Sequence, residues 1–219
     1  IEGDEIHMTR TRPANVPEIL ARGWPALIRN LRVSDADGRT LATTTNGPSG
    51  WRLSQPINGR IRVEYEADYG LLEARGWPAP RETAFADRNH VVFIGRSLFV
   101  TTPQSRSSTV EFKAPRGWRV AAPWQGTRTT FTVATSDDLL DNLVVMTSRK
   151  IETVVAGNLE VLMIPIGHWD AERPAIRRVL RRSIPQLAAL MPLGQNERHL
   201  GVLLPPADRG AVSFAAPTL

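Results

Sequence analysis

The sequence predicts a mainly β protein, a β-sandwich or saddle-like set of antiparallel sheets with one amphipathic helix in the C-terminal half. Three observations carry that class. Turn signals such as Asp37-Gly38, Asn58-Gly59 and Gly157-Asn158 punctuate the chain at short intervals, a spacing that suits hairpins. Residues 60–69 alternate strictly, with Ile61, Val63, Tyr65, Ala67 and Tyr69 between charged neighbours, so one face should be buried and the other wet. Only one long stretch, after Asp170, has helical periodicity. With 219 residues, 42% of them hydrophobic and 22% charged, the chain can bury a core without covalent staples.

Taken in order, residues 1–22 carry Pro13 and Pro17 without periodicity and read as an irregular arm. Residues 23–204 read as one β-rich domain. Its first hairpin pairs 28–34 with 39–45 across Asp37-Gly38, and the alternating strand 60–69 follows Asn58-Gly59. Residues 79–89, rich in proline and charge, read as a loop. Strands are then expected at 90–94 and 97–101 across Gly95, and at 109–114, 118–121 and 129–134, with a loop at 104–108. A short helix at 137–143 follows Ser136. Strands 150–155 and 158–165 flank the Gly157-Asn158 turn.

The long helix is expected to have Asp170 as its N-cap and Glu172 in its first turn, where a carboxylate suits the helix dipole. Ile176, Val179, Leu180 and Ile184 form its apolar stripe, and Arg173, Arg177, Arg178, Arg181 and Arg182 cover the rest. Pro185 should kink or restart it, because proline lacks the N–H a helix interior needs. Ser183 and Gln186 have the spacing of a capping box for a second piece through Leu190. A last strand at 199–204 ends at Pro205-Pro206, and 205–219 form a tail.

The formal charge is +5 and the pI about 10.6, yet lysine occurs only at Lys113 and Lys150 and the arginines are spread beside nearly as many carboxylates. Non-specific nucleic-acid affinity requires clustered cations, so no nucleic-acid partner is inferred. The absence of cysteine excludes a disulfide scaffold, a thiol nucleophile and thiolate metal sites. No apolar run is long enough to span a membrane, and the opening Ile1-Glu2-Gly3-Asp4-Glu5 is too acidic for an intact signal peptide. The compartment stays open between cytoplasm and, after signal removal, periplasm or exterior.

Motifs for chemistry are missing. His7, His90, His168 and His199 form no His-Glu-x-x-His run and no helically spaced pair. Gly47-Pro48-Ser49-Gly50 lacks the spacing of a nucleophile elbow, and neither a Gly-x-Gly-x-x-Gly nor a Gly-Lys-Ser/Thr phosphate loop occurs. Asp137, Asp138 and Asp141 form the densest carboxylate cluster, but Leu139 and Leu140 between them favour capping and surface charge over a calcium loop. Trp24, Trp51, Trp77, Trp118, Trp124 and Trp169 could line a sugar platform; core plugs are the favoured reading. No catalytic, cofactor-binding or metal-ligating residue is assigned.

One series of motifs points further. Val110-Glu111-Phe112-Lys113-Ala114-Pro115-Arg116-Gly117-Trp118, Trp124-Gln125-Gly126, and Phe131-Thr132-Val133-Ala134-Thr135-Ser136-Asp137-Asp138-Leu139-Leu140-Asp141-Asn142 give a strand, a Pro-x-Gly-Trp corner and a Phe-x-x-Ala-x-x-Asp-x-Leu-x-Asp turn. Before them come Gly23-Trp24-Pro25 through Leu31 with Asp35-Ala36-Asp37-Gly38, the strand 61–69, and Phe93-Ile94-Gly95-Arg96-Ser97-Leu98-Phe99. After them come 161–167 and the helix. Over about 23–204 this series resembles the N-terminal domain of the glycyl aminopeptidase family of zinc metallopeptidases, which are gluzincin-like.

The resemblance implies a β-rich, non-catalytic domain or fragment that supports a catalytic domain and shapes its peptide cleft. It implies zinc in that catalytic domain and no cofactor in this chain, and as partners the catalytic domain of the same protein or a peptide substrate. The departures are an irregular arm in place of an opening hairpin, and Arg209-Gly210-Ala211-Val212 without a substrate-anchoring glutamate. An apolar patch is expected around 202–214, where an exposed edge would also allow oligomerisation. The alternative is a stand-alone β-sandwich binding module with no enzymatic activity.

Overall fold

The computed structural model describes residues 2–8, 21–70, 84–190, 197–203 and 213–216, and these are mainly strand, as the alternation and turn spacing predict. The chain divides into two compact units. The first comprises residues 1–86, 92–109 and 133–141, and the second 87–91, 110–132 and 142–219.

In the first unit, β1 (Glu2–His7), β2 (Ile28–Asp35), β3 (Thr40–Leu41), β4 (Thr43–Asn46), β5 (Gly50–Asn58) and β6 (Ile61–Ala67) form two antiparallel sheets, ordered β3-β2-β6 and β1-β5-β4. The Asp35 carboxylate closes the first turn by accepting backbone N–H bonds from Asp37 and Arg39, at 3.0 and 2.9 Å, an Asx geometry that folds this segment locally. The expected strand at 39–45 is in fact two. β3 pairs with β2 through Val33↔Leu41, and beyond Ala42 the chain changes sheets so that β4 pairs with β5.

The expected irregular arm is corrected over residues 2–7, which form β1 against β5; residues 9–20 lie outside the described set. Local periodicity could not show this, because β1 is held by a partner some fifty residues away. β5 itself is obscured in the sequence by Pro56, which cannot donate to a ladder. Here the β1–β5 register is interrupted between Gly3↔Ile57 and Glu5↔Arg52, and Pro56 falls within that interruption. Ile6, Met8, Trp24, Leu27, Val33, Leu41, Trp51 and Leu53 bury together as this unit's core. β6 alternates as expected, although its inward residues are only half-buried.

Two short strands follow, β7 (Ala84–Ala86) and β8 (His90–Ile94); β7 lies within the expected loop 79–89, of which 79–83 fall outside the described residues. The expected strand 97–101 does not form. A 3-10 turn, Gly95–Ser97, replaces its start, and the N–H groups of Leu98 and Phe99 both bond the Gly95 carbonyl, at 3.0 and 2.7 Å. The short helix is α1 (Ser136–Asp141), capped by Thr135: its Oγ1 accepts from the Asp138 N–H at 3.0 Å and donates to the Asp138 carboxylate at 2.8 Å.

The second unit holds the remaining strands: β9 (Ser108–Glu111, which begins in the first), β10 (Arg119–Ala121), β11 (Gln125–Gly126), β12 (Thr130–Val133, whose last residue falls in the first), β13 (Leu143–Thr147), β14 (Glu152–Ala156), β15 (Leu159–Pro165), β16 (Glu197–Leu203) and β17 (Ser213–Ala216). The helix expected over 137–143 ends at Asp141, and its last expected residue, Leu143, opens β13. Its run Leu143-Val144-Val145 is buried continuously, and such a run has no alternation to betray a strand. β14 pairs antiparallel with β15, β15 parallel with β16, and β16 antiparallel with β17. A parallel pair needs a crossover, and the long helix α2 (Arg173–Leu190) supplies it.

α2 departs from expectation in three ways. Asp170 ends a 3-10 turn, Gly167–Asp170, and the helix begins at Arg173, which puts Glu172 rather than Asp170 at the N-cap position. The helix runs unbroken through Pro185, which is exposed, so the Arg181 carbonyl that loses its partner lies on a face water can reach. Third, the apolar stripe is Leu180, Ile184 and Ala188, packed on Val154, Leu159 and Val161. Val179 stands one residue, about 100°, from Leu180 and is 61% exposed. Full burial of one such aliphatic side chain contributes roughly 1.5–3 kcal/mol, so Ile184 is the main anchor of the helix. At the expected patch, 202–214, Val202 is buried and β17 pairs with β16, while the side chains of 213–214 lie outside the described residues. Residues 204–212 lie outside the described set. Among the described residues the large exposed apolar side chains are Val155, Val179, Leu187 and Leu190.

Candidate functional site

The sequence candidates separate into structural roles. His90 is buried, with Nδ1 3.0 Å from an Asp87 carboxylate oxygen that also accepts the N–H groups of Asn89 and His90 at 2.7 Å each. That ring is fixed by a turn. His199 lies 3.4 Å from Glu197, two residues away on β16. His7 is half-buried and bridges Thr101 through its backbone, while the side chain of His168 lies outside the described residues. Among the described residues, no group of three His, Asp or Glu side chains could hold a metal ion.

The aspartate cluster is capping and pairing, as favoured: Asp138 closes the cap of α1, and Asp141 pairs with Arg96. Trp24, Trp51 and Trp124 are buried core residues, whereas Trp118 and Trp169 are half-buried and Trp77 lies outside the described residues. Ser49 belongs to the turn between β4 and β5, where its carbonyl accepts the Met8 N–H at 2.9 Å. In the first unit, a cleft of about 560 Å³ is bordered by His7, Thr102, Ser105, Ser136 and Asp137. Its hydroxyls are already engaged, Ser136 Oγ donating to the Ser105 carbonyl at 2.6 Å and Ser105 Oγ accepting the Thr102 N–H at 3.0 Å.

The motif residues quoted above meet one another. In the first unit a Cβ built on Gly95 would lie 1.7 Å from the Leu139 carbonyl oxygen, so the Phe-x-Gly element can press against α1 only as glycine. The Arg96–Asp141 pair joins the same two segments. The Tyr65 hydroxyl donates to the Leu98 carbonyl at 2.8 Å, which ties β6 to that turn, and burial holds the Tyr65 hydroxyl above its ordinary pKa. The Trp24 N–H bonds the Pro48 carbonyl at 2.7 Å. In the second unit the Pro-x-Gly-Trp corner is a β-turn, with the Trp118 N–H on the Pro115 carbonyl at 3.0 Å and Gly117 at φ 84°. That positive φ at the third turn position calls for glycine. Phe131 packs edge-to-face on Phe112 and Trp124, with centroids 5.9 and 6.3 Å apart.

Two charged constructions in the second unit escape sequence reasoning, because each joins distant segments. The buried Glu152 carboxylate accepts a forked pair of hydrogen bonds from Arg177, at 2.6 and 2.9 Å, with Arg173 at 3.6 Å. The Arg177 hydrogen bond is the largest cause holding its carboxyl below the usual range, against the opposing effect of burial. On the other face of the β14–β17 sheet lies a cleft of about 800 Å³, bordered by Arg119, Arg128, Lys150, Glu160 and Arg198 over Val120, Phe131 and Leu162. A second hollow of about 540 Å³ shares Arg119, Val120, Arg128 and Ile151 and extends to Trp118. Arg198 is committed within it, donating to Glu160 at 2.6 Å and to the Trp124 carbonyl at 3.0 Å.

These features define a class: a β-rich domain closed by a β-α-β crossover, whose motif residues serve to dock its segments. The fold is similar to that of an aminopeptidase N family protein from Idiomarina loihiensis, with a TM-score of 0.64 and 16% identity over 91% of this chain. This chain spans 34% of that protein's length. The family profile described as Peptidase M61 N-terminal domain matches residues 19–147, more than half of the sequence, and the chain belongs to that family. The resemblance read from the sequence is thereby borne out, and the chain is a peptidase-associated domain. No curated protein matches it. Among the described residues no helix is long and apolar enough to cross a membrane.

Proposed function

We propose that this chain is the non-catalytic N-terminal domain of a zinc-dependent aminopeptidase of the glycyl aminopeptidase type, formed by residues 23–204, which supports a catalytic domain and shapes its peptide cleft. The family match over residues 19–147 carries this reading, and the one-third share of the aminopeptidase N family protein that the chain spans supports it. On this reading the zinc and its ligands belong to the catalytic domain, and this chain contributes packing surface. The exposed side chains of Val179, Leu187 and Leu190 on α2, beside Arg178, Arg181 and Arg182, offer an apolar and cationic face for that contact.

The test is to assay this chain, and the longer polypeptide encoded with it, on peptides with N-terminal glycine or alanine, with and without a chelator. Activity and bound zinc are expected in the longer polypeptide alone. Hydrolysis by this chain alone, together with stoichiometric zinc, would overturn the non-catalytic assignment. A longer polypeptide that is active without zinc would overturn the zinc assignment.

A further inference from the structure

We propose that the groove bordered by β10, β14 and the β11–β12 hairpin binds an extended acidic polypeptide segment, which adds as a strand to a free sheet edge. Among the described residues, β10 has a strand neighbour only in β13 and β14 only in β15. Two sheet edges therefore border one groove. Such edges present backbone N–H and C=O groups that pair readily with an added strand. The two adjoining hollows, of about 800 and 540 Å³, share Arg119, Val120, Arg128 and Ile151, so the space continues from Trp118 to Arg198.

The chemistry of the lining selects the ligand. Arg119, Arg128 and Lys150 are exposed at the rim, and among the described residues no carboxylate forms an ion pair with Arg119 or Arg128. The carboxylate within the groove, Glu160, is taken by Arg198 at 2.6 Å. Arginine's planar fork matches a carboxylate in two parallel bonds. Below the rim the floor is apolar, with Val120, Phe131 and Leu162. A strand alternates its side chains with period two at about 3.3 Å per residue. A segment with acidic and aliphatic residues in turn therefore offers carboxylates to the arginines and apolar groups to the floor. A small inorganic anion would meet the cations and leave the floor wet, and a flat membrane surface does not enter a concave groove.

The test uses the whole 219-residue chain and a fluorescein-labelled decapeptide of alternating Glu and Val, followed by fluorescence anisotropy. Saturable binding is expected, weakened about tenfold or more in R119E/R128E, by replacing every Glu in the peptide with Gln, and by methylating alternate peptide amides. Both arginines are exposed, so the double variant should keep the far-UV circular dichroism of the parent; if it does not, R128A alone makes the same comparison. Undetectable binding, equal affinity for the Gln peptide, an unchanged affinity in the arginine variants, or indifference to amide methylation would each overturn the proposal. Competition by inorganic phosphate at concentrations similar to the peptide would reduce the groove to a simple anion site and also overturn it. Because the assay needs no catalytic domain and no zinc, its failure leaves the peptidase-domain reading to be judged on its own experiment.

Discussion

Replacing Gly95 by alanine tests the docking of α1 most directly. The added Cβ would sit 1.7 Å from the Leu139 carbonyl oxygen and 3.0 Å from the Leu140 Cα. Ordinary contact requires about 3.4 Å, so the turn and the helix must separate by more than an ångström. α1 resists, because Thr135 caps it, Asp141 pairs with Arg96 and Leu139 and Leu140 are buried. Overpacking of this kind costs about 3 kcal/mol, near the top of the usual range, because the clash is with backbone and not with a flexible side chain.

Gly117→Ala is the control. Its Cβ meets nothing within 4 Å, but φ is +84°, so the cost is conformational alone, about 1–2 kcal/mol. With a urea dependence near 2 kcal/mol per molar, the midpoint should fall by about 1.5 M for Gly95→Ala and by about 0.5–1 M for Gly117→Ala. Urea titration followed by tryptophan fluorescence measures both. A Gly95→Ala midpoint equal to or above that of Gly117→Ala would refute the argument that close approach fixes glycine at position 95.

Three other outcomes are expected. Ile184→Ala should cost about 2–4 kcal/mol by opening a cavity between α2 and β15, whereas Val179→Ala, at 61% exposure, should stay within about 0.5 kcal/mol; equal losses in thermal unfolding would contradict the orientation of α2. Thr135→Ala should lower stability by about 1 kcal/mol through loss of the α1 cap, and Thr135→Ser should restore most of it. Glu152→Gln should destabilise at neutral pH. The folded carboxyl lies below its ordinary value, so its contribution is fully present above the unfolded pKa and is lost as pH falls through the folded one. The wild-type advantage should therefore shrink under acid, and a gap that widens instead would contradict the pairing with Arg177.

Sequence alone determined whatever is local or periodic. The hairpin turn at Asp37-Gly38, the alternation of 61–67, the strands around 90–94 and 159–165, and the existence of a helix before residue 190 follow from turn chemistry and spacing within one element. The family motifs were legible for a related reason: Gly95, Trp24, Tyr65, Gly117 and Phe131 are held by close approach, burial or positive φ, so their identities are constrained.

Tertiary structure decided what depends on partners far along the chain. β1 and β5 read as an arm and as an unrecognised segment because each needs the other, and Pro56 hides in their interrupted register. Val179 and Leu180 are equally apolar in sequence, and the β14–β15 surface alone chooses which is buried. The Glu152–Arg177 pair joins residues twenty-five apart, and the cationic groove collects residues from 117 to 198. Single-chain periodicity registers which face of an element is apolar, but charge complementarity and concavity arise only when distant faces are brought together.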